Sequence, residues 1–304
     1  MNQSPLSTLL LTSTYKWPWL CILALTGTSC SAPEAGTTVT EHRPQVSSMD
    51  PSSVRERDRS RDIRTDTQPS SAVGVARIPL GSKAFLIEIK GADYNGEATS
   101  YIDERIQRSK AGDSQSSYEI HARVTSCKRA LSSGDDDEYK AYSSMGLGEQ
   151  FSRRIEREIE NCKAIVGRSD ITDQNWLSLA AAQGSIEARL MYAQNPRAAI
   201  GDLSDILSDP ERLIEYRQNA VRYLSESVST GNVDSIETLA TIYDRGIVAE
   251  RSPVKSLGYW MALQRAHPTQ YSAESIERIS GSMSAEQIAL AQRLSQEVHR
   301  SCCE

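Results

Sequence analysis

The chain has 304 residues, enough for one or two domains at about 100 to 200 residues each. A 38% hydrophobic content, only two phenylalanines and a mean hydropathy of −0.47 are lean for a globular enzyme, so part of the chain packs no core. Lys and Arg number 34 against 40 Asp and Glu, a net charge of −6, which excludes a general electrostatic grip on nucleic acid or anionic lipid.

The first thirty residues carry no acidic side chain and a single Lys16, followed by an apolar run from Trp17 to Leu25 that Pro18 interrupts. This is the layout of a secretory signal, and the run is shorter than the roughly 20 residues that span a bilayer. It ends in Leu25-Thr26-Gly27-Thr28-Ser29-Cys30, which resembles the lipobox of bacterial lipoproteins, with Gly27 where that family usually has Leu. The resemblance implies that Cys30 becomes the mature N-terminus and the site of lipid attachment. More than one acyl chain then gives lasting membrane anchoring. Ser31 beside it implies the outer membrane rather than the inner, on the periplasmic side. Cleavage within the same small-residue stretch without lipidation is the alternative.

Residues 31–80 are rich in Ser, Thr and Pro and show no apolar periodicity, the composition of a disordered linker. The charge run from Arg55 to Arg64 belongs to it, and across the linker seven arginines are matched by seven carboxylates. A solvated, zwitterionic tether fits that balance better than an RNA-binding arm.

From residue 81 to 304 the apolar spacing is mostly three and four, so the expectation is an all-α domain. Ala84-Phe85-Leu86-Ile87-Glu88-Ile89 is the one segment with strand character, and with no partner strand in view it is assigned to a helix. Three segments align on one template, beginning at Gly112, Gly184 and Gly231. Each has a small residue four positions on (Ser116, Ala188, Ser235) and a large apolar residue eight positions on (Ile120, Tyr192, Leu239). Glycine suits a left-handed turn between helices, the small side chain permits close approach, and the large one fills the groove a turn later. The preceding helices repeat as well, with Asn175–Gly184 matching Arg222–Gly231. Such spacing marks an α-solenoid of stacked antiparallel hairpins.

The stretch from Tyr223 through Gly231, Leu239, Tyr243 and Gly246 to Pro253-Val254-Lys255-Ser256-Leu257-Gly258-Tyr259-Trp260-Met261-Ala262 resembles a Sel-one-like repeat, a relative of the tetratricopeptide hairpin. The resemblance implies a small-residue helix, a glycine-bearing loop after a Tyr, and a second helix with paired aromatics, here Tyr259 and Trp260. The copy around Gly184 is truncated by Asn195-Pro196, and the copy around Gly112 carries an insertion near residues 132–147. Ser284-Ala285-Glu286-Gln287 is a capping-box pattern ahead of Ile288, Ala291, Leu294 and Val298, which predicts a closing helix over the stack.

Loss of Cys21 with the signal and lipidation of Cys30 would leave Cys127, Cys162, Cys302 and Cys303. In an oxidising periplasm Cys127 and Cys162 are candidates for a disulfide between two helices that turn near Gly146 and Gly148, with two buried thiols as the alternative. Cys302-Cys303 either cross-links a partner, stays reduced, or bridges itself with strain. His42, His121, His267 and His299 have no paired spacing suited to zinc or to a nucleophile–base pair. Asp135-Asp136-Asp137-Glu138 lacks calcium-loop spacing and reads as a solvated insertion or a helix start. No phosphate-cradling loop and no nucleophile elbow is present.

The expectation is therefore a non-catalytic protein–protein interaction scaffold of the bacterial envelope, with no cofactor or metal and no nucleic-acid partner. Its partners are the membrane through the lipid anchor and an unidentified envelope protein or peptide. An enzyme acting on cell-wall material and a purely structural, self-associating lipoprotein are the alternatives. The resemblance implies that Tyr192, Tyr243, Tyr259 and Trp260 are packing positions, so core roles are expected for them, with aromatic anchors of a binding surface as the alternative.

Overall fold

The computed structural model of the protein describes residues 74–91, 94–132 and 136–304; the segment expected to be a signal, Cys30 and the expected linker through residue 73 lie outside them. In chain order the elements are β1 (Val75–Pro79), β2 (Phe85–Ile89), α1 (Ala98–Lys110), α2 (Ser114–Ser132), α3 (Asp136–Ser144) and α4 (Gly148–Cys162). A 3-10 turn (Lys163–Gly167) leads to α5 (Ser169–Thr172), α6 (Trp176–Gln183), α7 (Ile186–Gln194), α8 (Pro196–Ile200) and α9 (Leu203–Ser208). The chain closes with α10 (Pro210–Ser229), α11 (Val233–Arg245), α12 (Pro253–Ala266), α13 (Gln270–Ser280) and α14 (Ala285–Cys303).

The helices stack as antiparallel hairpins, α1 against α2, α2 against α6, α6 against α7, α7 against α10, α10 against α11 and α11 against α12. The template glycines make these turns possible. Gly112, Gly184 and Gly231 have φ of +96°, +106° and +104°, the left-handed region that other residues rarely enter. Four residues on, Ser116, Ala188 and Ser235 are buried, and eight on, so are Ile120, Tyr192 and Leu239. Tyr192, Tyr243 and Trp260 are core, and Tyr259 packs half-buried against them. Tyr192 contacts the rings of Tyr216 and Tyr223, Tyr243 stacks on Tyr259, and Trp260 is 1% exposed.

Asn195-Pro196 does interrupt the middle copy. Asn195 ends α7 and its side chain accepts from Ala198 N at the start of α8, with Pro196 in the first turn. The two short helices α8 and α9 fill the space before α10. At the far end Ser284 and Gln287 form the reciprocal capping box of α14. This helix lies along α12 where Gly258 leaves room, since a Cβ there would stand 2.8 Å from Leu294 Cδ2.

One sequence expectation needs correction. Phe85–Ile89 is a strand, and its partner is β1, inside the stretch read as linker. Leu80 N donates to Ala84 O and Lys90 N to Gly74 O, so the ladder bonds fall at even-numbered positions of both strands. Pro79 therefore turns its missing N–H outward and costs the ladder nothing. The insertion near 132–147 holds a helix of its own, α3, which begins at Asp136 and packs on α4.

The hairpin is fastened to the repeat. Phe85 N donates to Gly231 O at 2.9 Å, and Ile87 N donates to Asp234 Oδ2 at 2.7 Å. Lys83 Nζ and Ser82 Oγ donate to Ser301 O and Cys303 O, carbonyls left without helical partners at the end of α14.

Two hydrophobic cores lie among the described residues. The larger runs through α6, α7 and α10–α14 and includes Leu177, Leu224, Ile236, Leu239, Leu257 and Trp260. The smaller joins α1, α2, α4 and the segment to Trp176 through Ile102, Ile120, Val124, Cys127, Cys162 and Ile171. Where they meet, His121 on α2 stands with Nε2 3.3 Å from Met191 Sδ on α7. Burial, assisted by Lys128, pulls its imidazole pKa down from 6.5 to about 4. The folded state holds this ring neutral, so its contribution is complete above about pH 6.5 and is lost as pH falls toward about 4. Over that window unfolding takes up one proton, about 1.4 kcal/mol per pH unit. His121→Gln is expected to flatten the fall in melting temperature between those pH values; superimposable profiles for variant and wild type would remove His121 from the acid response.

Candidate functional site

One candidate ligand surface is a groove between successive hairpins, formed by the end of α7, the start of α8 and the outward side of α11. Its volume is about 560 Å³, with Ala193, Pro196, Ile242, Ile247 and Val248 supplying apolar walls and Gln194, Asp234, Glu237, Thr238, Thr241 and Arg245 the polar ones. The sequence sets this geometry locally. Asn232 caps α11 by accepting from Ser235 N at 2.9 Å, and Gly246, at φ +72°, ends it and turns the chain so that Ile247 and Val248 lie on the rim. Ile247 is 65% exposed, an apolar side chain with no core role.

The polar groups of the groove divide into fixed and available ones. Asp234 accepts from Ile87 N and from Asn232 Nδ2 at 2.9 Å, so it serves the hairpin. Gln194 Nε2 donates to Thr238 Oγ1 at 3.1 Å and ties α7 to α11. Glu237 forms no hydrogen bond or ion pair among the described residues, and burial together with the nearby Asp234 carboxylate raises its pKa. Thr241 and Arg245 complete a wall of hydrogen-bond donors and acceptors beside apolar patches, the composition of a peptide site.

The residues singled out from sequence fall elsewhere. Cys30 and His42 lie outside the described residues. Cys127 on α2 and Cys162 at the end of α4 are disulfide-bonded, with Cα atoms 5.3 Å apart. The turn that permits this is at Met145–Leu147, with Gly146 at φ +74°. α3 carries the chain onward past the end of α2, and α4 runs back along both, so helix boundaries near 132 and 148 are compatible with the bond. Cys302 and Cys303 are bonded to each other in the last turn of α14. His299 Nδ1 stands 3.3 Å from Glu304.

Beside the Cys127–Cys162 bond lies a polar network that sequence reading missed. Glu158 accepts from Arg123 Nη1 and, at 2.9 Å, from Ser126 Oγ, and Cys162 Sγ is 3.7 Å from the same carboxylate oxygen. One layer away Arg105 Nε donates to Glu119 Oε2 at 2.6 Å, and both side chains are buried. Cys127, Glu158 and Cys162 bring potential metal-ligand atoms within 4.8 Å of one another. With the sulfurs joined and the carboxylate engaged by Arg123, the group acts as a structural clamp. A charged residue inside an apolar helical stripe was the available signal for this network, as at Arg123 between Ile120, Val124 and Cys127.

Neither a family model nor a curated protein matches the chain. Among solved structures it is similar to a protective antigen present in uropathogenic Escherichia coli strains and described as displaying an SLR fold. The identity is 14% and the TM-score 0.28, over 67% of this chain and 55% of that one. The chain thus spans about half the length of that antigen. The hairpin stacking itself, rather than this likeness, defines the fold.

Proposed function

We propose that the protein is a non-catalytic interaction scaffold of the bacterial cell envelope, tethered to the membrane by lipid at Cys30 and facing the periplasm. In this reading the α7–α11 groove receives an extended or helical segment of another envelope protein. The observation that carries it is the groove itself, where an exposed Ile247 shares the lining with Glu237, Thr241 and Arg245, whose side chains make no hydrogen bond or ion pair among the described residues. Stacked hairpins commonly present such concavities to peptides. An envelope address is supported by the signal-like leader ending at Cys30 and by the Cys127–Cys162 bond, which persists in oxidising compartments. The outer membrane is favoured by Ser31 after Cys30.

A photo-crosslinking amino acid placed at Thr241 in living cells tests the reading, with Arg293 on the exposed side of α14 as the comparison site. The expected result is a discrete protein adduct from position 241 and none from 293. Absence of an adduct from the groove, or the same adducts from both positions, would overturn it.

A further inference from the structure

A second groove lies on the other side of the α11–α12 loop and has the opposite electrostatic character. Its volume is about 820 Å³, and four cations line it, Arg217 and Arg222 from α10, Arg251 from the loop and Lys255 from α12. A single carboxylate, Glu250, stands among them. In a chain of net charge −6 this is a local reversal of sign, and it is built by elements distant in sequence. All four cations are exposed.

Their own hydrogen bonding leaves charge to spare. Arg217 makes no hydrogen bond or ion pair among the described residues. Lys255 Nζ rests 4.8 Å from the centre of the Tyr243 ring, with no carboxylate partner among those residues. Arg251 uses Nε to bond Asp244 O at 3.1 Å, which pins the loop, and its terminal nitrogens make no hydrogen bond among the described residues. Arg222 is the most engaged, with Glu226 at 3.0 Å and Asn219 at 2.9 Å. Between the cations, Ile214 and Val221 give α10 an apolar strip facing the same groove.

We propose that this groove binds an acidic peptide segment in which carboxylates alternate with aliphatic side chains. The proposal is independent of the α7–α11 groove, since it uses none of the polar residues that line that one. Cations spread over two helices and a loop match several carboxylates along a chain better than one small anion. Single-stranded nucleic acid lacks the stacking platform it needs here, because the lining aromatic, Tyr243, is 8% exposed and already stacked on Tyr259.

The test is fluorescence anisotropy of the full chain with a dye-labelled decapeptide of alternating Glu and Leu. Saturable binding that weakens with salt is expected, together with a loss of about tenfold or more in affinity for Arg217→Glu/Lys255→Glu. Reversal of two charges elsewhere, Arg293→Glu/Arg300→Glu on α14, has the same net charge and is expected to leave affinity within about twofold. Equal binding of the Gln-Leu peptide, or undiminished binding by the folded Arg217→Glu/Lys255→Glu variant, would overturn the proposal. So would displacement of the peptide by oligonucleotide or anionic vesicles at lower concentration. If circular dichroism shows that the reversal unfolds the chain, Arg217→Gln alone carries the test, with a loss of about threefold expected and no loss contradicting the proposal.

Discussion

Replacing Cys127 and Cys162 together by serine is expected to lower the stability of the repeat domain by about 3 to 4 kcal/mol. The bond closes a loop with a sequence separation of 35, and a cross-link of that span limits the unfolded chain by about this amount. The damage is expected to be local. Both sulfurs sit in the smaller core, and α4 has little other anchorage, with Phe151 packed under Tyr142 and Ile159 39% exposed. Hydrogen exchange of the double variant should accelerate through α1, α2 and α4 while amides of α11 and α12 keep their protection. Unchanged protection in α4 would mean that Arg123–Glu158 and the apolar contacts hold the helix without the disulfide.

Gly231→Ala is expected to cost about 3 kcal/mol, and Gly184→Ala about 1 to 2 kcal/mol, although the two residues occupy equivalent turns with nearly equal φ. The shared part is the strain of placing a side chain in the left-handed region. The difference is the neighbour. A Cβ at Gly231 would fall onto the Lys83 carbonyl, whereas one at Gly184 would meet nothing nearer than Arg189 Nη2 at 4.0 Å. The β1–β2 hairpin must therefore leave its seat in the first variant only. Loss of amide protection at Phe85 and Ile87 in Gly231→Ala, with both retained in Gly184→Ala, is the expected pattern. Equal costs, or an undisturbed hairpin, would show that the close approach is relieved by small shifts.

This comparison also marks what the sequence made legible. The repeat grammar of Gly, small and large residues at fixed spacing places three turns and six buried side chains correctly, because local conformation and close packing dictate those residue types. The capping box at Ser284 is equally local. The hairpin was hidden because Val75-Ala76-Arg77-Ile78-Pro79 sits inside a Ser/Thr/Pro-rich stretch, and a lone strand reading at Phe85 has no meaning without its partner. A Gly81-Ser82 turn between two short apolar runs was the signal available.

Neither groove was legible. Arg217 and Lys255 face one space only because α10 and the start of α12 are brought together by the stack, and Gln194 meets Thr238 in the same way. The pairs Arg105–Glu119 and Arg123–Glu158 likewise depend on how α1, α2 and α4 pack. Charge in sequence reports a solvated face by default; burial of Arg105, Glu119 and Arg123 is a tertiary fact.

The measurement that bears most directly on an oxidised, envelope-tethered scaffold is the intact mass of the native protein from fractionated cells, taken with and without reductant. The expected result is a membrane-bound species that begins at Cys30, is heavier by its acyl groups, and gains the mass of added protons on reduction. A soluble species that retains its first thirty residues, with Cys127 and Cys162 free before reductant is added, would contradict the anchor, the compartment and the clamp together.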